Sequence, residues 1–172
     1  MARKSVQEAR RVIVVIASMP TILGAILLIM SAGEPLPNLQ GNYLTKRKAA
    51  LPDDAKGKTA MLAFGFSYDS RFAVEAWVKA WDRKHKGDPK FTYFEIPMIG
   101  GMARLGAPFI DGGMRRGTPQ QLHENVITVY GGVDPWKKRL GVQNEKEAYI
   151  VIIGPEGKVQ SVAHGLVPPA SF

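Results

Sequence analysis

Nineteen consecutive residues, 12–30 (VIVVIASMPTILGAILLIM), carry no charge, and no other feature of the 172-residue chain limits its architecture so strongly. At 1.5 Å of rise per residue, a helix of that length nearly crosses the ~30 Å hydrocarbon core of a bilayer. The run has no polar face, which argues against an amphipathic helix lying on a soluble core. Pro20 and Gly24 weaken it less than they would a soluble helix, because membrane spans tolerate both residues. Arg3, Lys4, Arg10 and Arg11 precede the run against Glu8, and Glu34 follows it. The positive-inside rule therefore places the N-terminus on the cytoplasmic or matrix side and the rest on the exported side, periplasm or intermembrane space. Ser31-Ala32-Gly33 also offers small residues to a signal peptidase, but the run exceeds the usual signal core, which favours an uncleaved anchor over residues 1–33.

About 115 to 140 residues remain, enough for one domain with a single core. A hydrophobic fraction of 45% excludes wholesale disorder. The chain carries a formal charge of +8, and its tightest basic groups are Lys46-Arg47-Lys48 and Arg83-Lys84 with Lys86. None forms a dense block interleaved with aromatics, so nucleic acid is not an expected partner. With no cysteine in the chain, disulfides, thiolate catalysis and sulfur-built metal sites are all excluded.

Residues 34–57 shift to Pro, Gly, Asn and Lys and read as a linker or extended arm, with Leu36, Leu39, Tyr43 and Leu44 placed to pack onto the domain. The domain is then expected over residues 58–172. Residues 59–66 (TAMLAFGF) form an apolar run of the buried-strand type. Residues 70–85 predict a helix with Arg71, Glu75, Lys79 and Arg83 on its polar stripe and Phe72, Ala73, Ala76, Trp77, Ala80 and Trp81 on the other side. Residues 91–96 predict a second strand. Residues 100–117 give no clean period and read as irregular or weakly helical. Thr118-Pro119 and Asp134-Pro135 each place a cap ahead of a proline, starting short helices on either side of a strand over 126–130. Gly141 stops the second, whose Trp136 is expected to be half exposed. Strands over 148–153 and 158–164, joined by Gly154-Pro155-Glu156-Gly157, close an α/β domain with a mixed central sheet flanked by helices.

The segment ITVYGGVDPWKKRLGVQNEKEAYIVIIGPEGKVQSVAHG resembles the C-terminal half of TlpA-type and peroxiredoxin-like thioredoxin folds. There a strand passes through a short helix ending in Leu-Gly-Val to a closing hairpin. Over residues 57–165, with FSYDSRFAVEAW after the first strand and YIVIIGPEGKVQSVAHG at the end, the chain is similar to the mitochondrial ATP synthase assembly factors and their bacterial relatives. It departs from them in the closing strand, where VQSVAHG replaces an Ile-Arg-Trp-Ala-Gly-like pattern. The resemblance implies a thioredoxin-like fold and a role in assembling a membrane complex.

In redox-active members of that superfamily a Cys-x-x-Cys motif sits at a helix N-terminus, which lowers the thiol pKa. Here Ser67-Tyr68-Asp69-Ser70 occupies the place, and a serine hydroxyl without a base is not a nucleophile. The proline that usually precedes the closing hairpin is replaced by Lys146-Glu147-Ala148. Ser67, Asp69 and Ser70 serve as turn and cap residues, or keep the helix end as a binding spot for a small anion or peptide backbone, with Tyr68 its exposed aromatic.

His85, His123 and His164 lack metal-ligand spacing, so neither a metal nor another cofactor is expected. Glu95, Arg104, Arg115 and Arg116 lie in or near the irregular region, and the arginines read as surface charges rather than grips for carboxylates or lipid phosphates. The expected function is that of a membrane-anchored, redox-inactive binding or assembly protein, not an enzyme. Its partner is a protein of a membrane complex, met through Ser67, Tyr68, Asp69, Ser70, Arg71 and His164. Two alternatives stay open: a permanent structural subunit of such a complex, and a non-thiol enzyme using Asp69 or His164.

Overall fold

The computed structural model describes residues 30–167. Its strands are β1 (Leu39–Tyr43), β2 (Lys48–Leu51), β3 (Thr59–Gly65), β4 (Phe91–Ile99), β5 (Ile127–Tyr130), β6 (Ala148–Ile153) and β7 (Val159–His164), and its α-helices are α1 (Arg71–His85), α2 (Ala107–Gly117) and α3 (Val133–Leu140). The strands form one mixed sheet in the order β2-β1-β5-β4-β3-β6-β7. β3, β4 and β5 run parallel, with antiparallel pairs outside them.

Apolar composition explains where β3 lies. From Ala60 to Phe64 it is fully buried, as a strand with covers on both faces must be. Its even residues Leu62 and Phe64 face a core shared with Ile96, Met98, Ile127, Tyr149, Val151 and Trp136. Met61 and Ala63 face α1. Helix α1 crosses from β3 to β4 and buries Val74, Trp77, Val78 and Trp81, the i, i+3, i+4, i+7 spacing of one helical face. Its polar stripe is exposed as expected, with Lys79 on Glu75 at 2.6 Å. Phe72 and Ala76, expected on the buried side, are exposed instead, because at 3.6 residues per turn both fall opposite the Val74, Trp77, Val78 and Trp81 stripe that packs on the sheet.

Within residues 34–57, read as a linker or extended arm, Leu39–Tyr43 and Lys48–Leu51 form the β1–β2 hairpin, register Leu39↔Leu51, whose inner strand pairs with β5. Leu36, Leu39, Tyr43 and Leu44 are buried, so the packing expected of them is found. Polar contacts fix the hairpin: the Tyr43 hydroxyl donates to Asp54 at 2.9 Å, Arg47 stacks 4.0 Å over the Tyr43 ring, and Arg47 meets Glu124 at 2.6 Å. The turn chemistry that suggested a linker is that of a short edge hairpin.

Of the anchor expected over residues 1–33, everything before Met30 lies outside the described residues, and no described helix is long and apolar enough to cross a membrane. Met30 is buried in the core and donates its N–H to the Arg139 carbonyl at 2.9 Å. Gly33 and Leu36 donate to the carbonyls of Val159 and Gly157 at 2.8 and 2.9 Å. The described chain thus enters beside the β6–β7 turn.

The region 100–117 is helical, a 3-10 segment (Gly101–Gly106) leading into α2. Thr118 is extended and does not cap the following 3-10 segment (Gln120–Asn125), and its carbonyl instead contacts His123 Nε2 at 3.0 Å. α3 begins at Val133 after Gly132, two residues earlier than the Asp134-Pro135 pair suggests, and ends at Gly141 with φ +62°, as expected. Trp136 is 8% exposed rather than half exposed, because its ring stacks on Phe64 at 5.2 Å. Trp136→Ala is expected to lower unfolding free energy by about 3–5 kcal/mol in a denaturant melt. A loss below about 1 kcal/mol would contradict that burial.

Candidate functional site

β3 ends at Gly65, and the chain turns through residues 67–70 into α1. The turn folds back so tightly that a Cβ on Gly65 would stand 2.6 Å from Ser70 Oγ, closer than side chains approach without a shift. The two serines close the turn on themselves. Ser70 Oγ donates to the Ser67 carbonyl at 2.7 Å, the Ser70 N–H reaches Ser67 Oγ at 3.3 Å, and Ser67 Oγ donates to the Glu145 carbonyl at 2.8 Å. Ser70 is 1% exposed and makes no side-chain cap to the helix, so the turn part of its expected role is found and the cap is not. Both hydroxyl protons are committed to carbonyls, and neither oxygen meets a base.

Beside this turn a cleft of about 610 Å³ opens between α1 and α2 over β4. Ala63, Gly65 and Pro97 contribute to its floor, Val74 and Ile110 to its apolar walls, and Phe109 and Met114 come from α2. Ser67, Tyr68, Ser70 and Arg71 also line it, whereas Asp69 and His164 do not. Tyr68 and Phe109 stand 79% and 87% exposed, and Phe72 is exposed nearby, which gives the mouth an aromatic rim. Arg71 donates to the Tyr68 carbonyl at 2.7 Å and stacks on the Tyr68 and Phe72 rings at 3.6 and 4.0 Å. Its guanidinium is thereby held in the rim. The Tyr130 hydroxyl donates to Asp111 at 2.6 Å, and Arg115 to the Leu44 carbonyl at 3.4 Å. These contacts tie α2 to β5 and to the N-terminal hairpin.

Glu95 lines the cleft among these apolar groups, half-buried, and its carboxyl makes no hydrogen bond or ion pair with any described residue. Burial raises its pKa, and the negative charge of Glu75 adds to the rise. Tyr93, two residues before it on the same face of β4, is pushed up to about 12 by burial and then by the charges of Glu95 and Asp82. The strand's alternation puts Phe91, Tyr93, Glu95 and Pro97 on the α1 side and Phe94, Ile96 and Met98 on the other. That parity was the available sequence signal for Glu95. Phe109, Ile110 and Met114 gave no such signal, because the glycines around them break the helical period.

The remaining expected site residues lie elsewhere. Asp69 is exposed and 3.6 Å from Lys146. His164 Nδ1 contacts Glu147 at 2.9 Å, and its ring stacks on Tyr149 at 5.4 Å. The histidine's hydrogen bond holds the Glu147 carboxyl below its ordinary range. Among the described residues no group of His, Asp and Glu could hold a metal ion.

No protein-family model matches the sequence, and no curated protein is significantly similar to it. Solved structures do match. A chain named as thiol:disulfide interchange protein DsbE from Chlorobium tepidum aligns with TM-score 0.56 at 18% identity, covering 82% of this chain and 89% of that one. The thioredoxin domain of a thiol-disulfide oxidoreductase from Bacteroides vulgatus aligns with TM-score 0.54 at 17% identity, covering 77% and 88%. An exposed lipoprotein thioredoxin of Streptococcus pneumoniae gives 0.51 at 12%, covering 74% and 88%. The fold is thioredoxin-like, in a chain without the cysteines that thiol-disulfide chemistry requires.

Two outcomes test this geometry. Because burial raises the Glu95 pKa above its unfolded value, the ionised form opposes folding, and stability is lost as pH rises through the carboxylate range. Glu95→Gln is therefore expected to melt a few degrees above the parent at pH 7, with the gap closing near pH 3. A gap independent of pH would refute the penalty. Tyr130→Phe is expected to cost about 0.5–1.5 kcal/mol and to speed hydrogen exchange in α2 more than in α1. Equal changes in both helices would argue against a local tether.

Proposed function

We propose that the chain is a membrane-tethered, redox-inactive thioredoxin-like protein that captures a protein partner in the cleft between α1 and α2. The observation that carries this reading is the aromatic-rimmed apolar cleft beside the turn that holds thiols in the active enzymes. Solvent-facing Tyr68 and Phe109 at one opening, with Phe72 exposed beside Arg71, suit a recognition surface, since aromatics are enriched at protein interfaces. The likeness to ATP synthase assembly factors supports assembly of a membrane complex as the purpose of that capture, with the ATP synthase the partner it implies.

The uncharged run supports the tether, with the N-terminus cytoplasmic or in the matrix and the domain exported. The described chain enters beside the turn that links β6 to β7. Register sets that turn at the opposite end of β3 from Ser67, since Ala60 pairs with Ile153 and Gly65 with Ala148. Seven strand residues separate the two ends by about 20 Å. A domain tethered through Met30 thus opens its cleft away from its own attachment point.

A permanent subunit would use the same surface and differ only in co-purifying at fixed stoichiometry. Non-thiol catalysis is the weaker reading. His164 does meet a carboxylate, but outside the cleft, and the described hydrogen bonds bring it no hydroxyl nucleophile.

Crosslinking of the tagged full chain in native membranes, followed by mass spectrometry, tests the proposal. Tyr68→Ala combined with Phe109→Ser is expected to cut recovery of the crosslinked partner at least about tenfold, the loss of a hot-spot pair, while leaving the melting curve in place. Undiminished recovery would sink this choice of surface.

A further inference from the structure

The cleft carries a chemical requirement as well as a shape. Its walls are apolar, and Glu95 supplies the one carboxyl among its lining residues. That carboxyl has lost much of its water without gaining a protein donor. A polar group that loses water without gaining a partner costs free energy, and a charged one costs more. The nearest cation in the lining, Arg71, does not relieve it, because its guanidinium is taken by the Tyr68 carbonyl and by two aromatic rings at the rim. On α2, Arg115 is committed to the Leu44 carbonyl. While the cleft is open the half-buried carboxyl still reaches water; an occupant that expels that water has to bring the donor itself.

The remaining walls define the rest of that occupant. Val74, Ile110, Met114 and Phe109 offer no polar atoms, so the body entering beside them is apolar. Met114 adds an adaptable, polarisable surface. The best complement of an isolated carboxylate in such surroundings is a cation that forms a charge-assisted hydrogen bond. A lysine combines a four-carbon apolar stem with an ammonium at its end.

Building on the partner-capture reading above, we propose that the α1–α2 cleft receives an apolar partner segment bearing a single lysine, whose ammonium pairs with Glu95. The stem lies along the Val74 and Met114 walls, the flanking apolar residues rest against Phe109 and Tyr68, and the ammonium reaches the floor. Glu95 then acts as the specificity determinant, because an apolar segment without the cation would leave the carboxyl buried and unpaired.

The test uses the full chain in phospholipid nanodiscs and two peptides. One is acetyl-ALGKGLA-amide, and the other is identical with norleucine in place of lysine, which keeps the stem and removes the charge. Binding is read from the methyl resonance of Met114 in titration, for the parent and for Glu95→Gln. The lysine peptide is expected to shift Met114 and to bind at least about tenfold more tightly than the norleucine peptide, the size of one charge-assisted hydrogen bond. Glu95→Gln is expected to erase that ratio. Equal binding of the two peptides to the parent protein would overturn recognition by Glu95 while leaving the cleft as a docking site. No shift of Met114 with either peptide would overturn both this assignment and the cleft as the capture surface. The peptide comparison on the unaltered protein keeps the test decisive whatever the variant does to folding.

Discussion

The burial of β3 on both faces is the constraint from which the rest of the structure follows. Residues Ala60 to Phe64 have no solvent exposure, and a strand in that position needs neighbours on both edges and a cover on each face. β4 and β6 supply the edges. α1 covers one face with Val74, Trp77, Val78 and Trp81, while Trp136 of α3 covers the other beside Phe64. β4, one strand further out, is covered less completely on the α1 side. The gap left there between α1 and α2 is the cleft. The site is thus a consequence of how far two helices extend over a sheet whose centre they must cover.

The turn between β3 and α1 shows what a thioredoxin-like scaffold holds when serines stand in place of thiols. Its geometry depends on Gly65, whose missing Cβ admits Ser70, and on hydrogen bonds that both serines send to backbone carbonyls. A hydroxyl is far less acidic than a thiol and cannot exploit a helix N-terminus to ionise near neutral pH. The same position therefore holds the turn closed and supplies polar edges to a cleft instead of a nucleophile. What is available is surface, with the exposed rings of Tyr68 and Phe109 lining it and Phe72 beside Arg71.

Much of the architecture was legible in the sequence, for local reasons. The apolar run of β3, the amphipathic stripe of α1, the glycine that ends α3 and the Gly-Pro-Glu-Gly turn each announce an element through a few adjacent residues. The N-terminal hairpin was not legible, because Pro, Gly and Asn mark a linker and a tight edge hairpin alike, and only pairing with β5 separates them. α2 escaped for a related reason: Gly106, Gly112, Gly113 and Gly117 dilute its apolar period, and its anchors, Asp111 on Tyr130 and Arg115 on the Leu44 carbonyl, lie far away in sequence. Of the residues expected at the site, Ser67, Tyr68, Ser70 and Arg71 meet at one cleft because a single turn carries them. Asp69 turns outward to Lys146, and His164 joins Glu147.

The sequence alone determined which chemistry is available. No arrangement of a chain without cysteine yields a thiolate or a disulfide, and strand and helix periods fixed an α/β order before any contact was known. Only the tertiary structure decided where an ionisable group would be stranded. Glu95 is one carboxylate among many in the sequence, and alternation assigns it no more than a side of β4. Its isolation arises because α1 and α2, from different parts of the chain, flank it with apolar side chains and bring its carboxyl no donor. Solvation and pairing are properties of the assembled surroundings, and no local pattern encodes them.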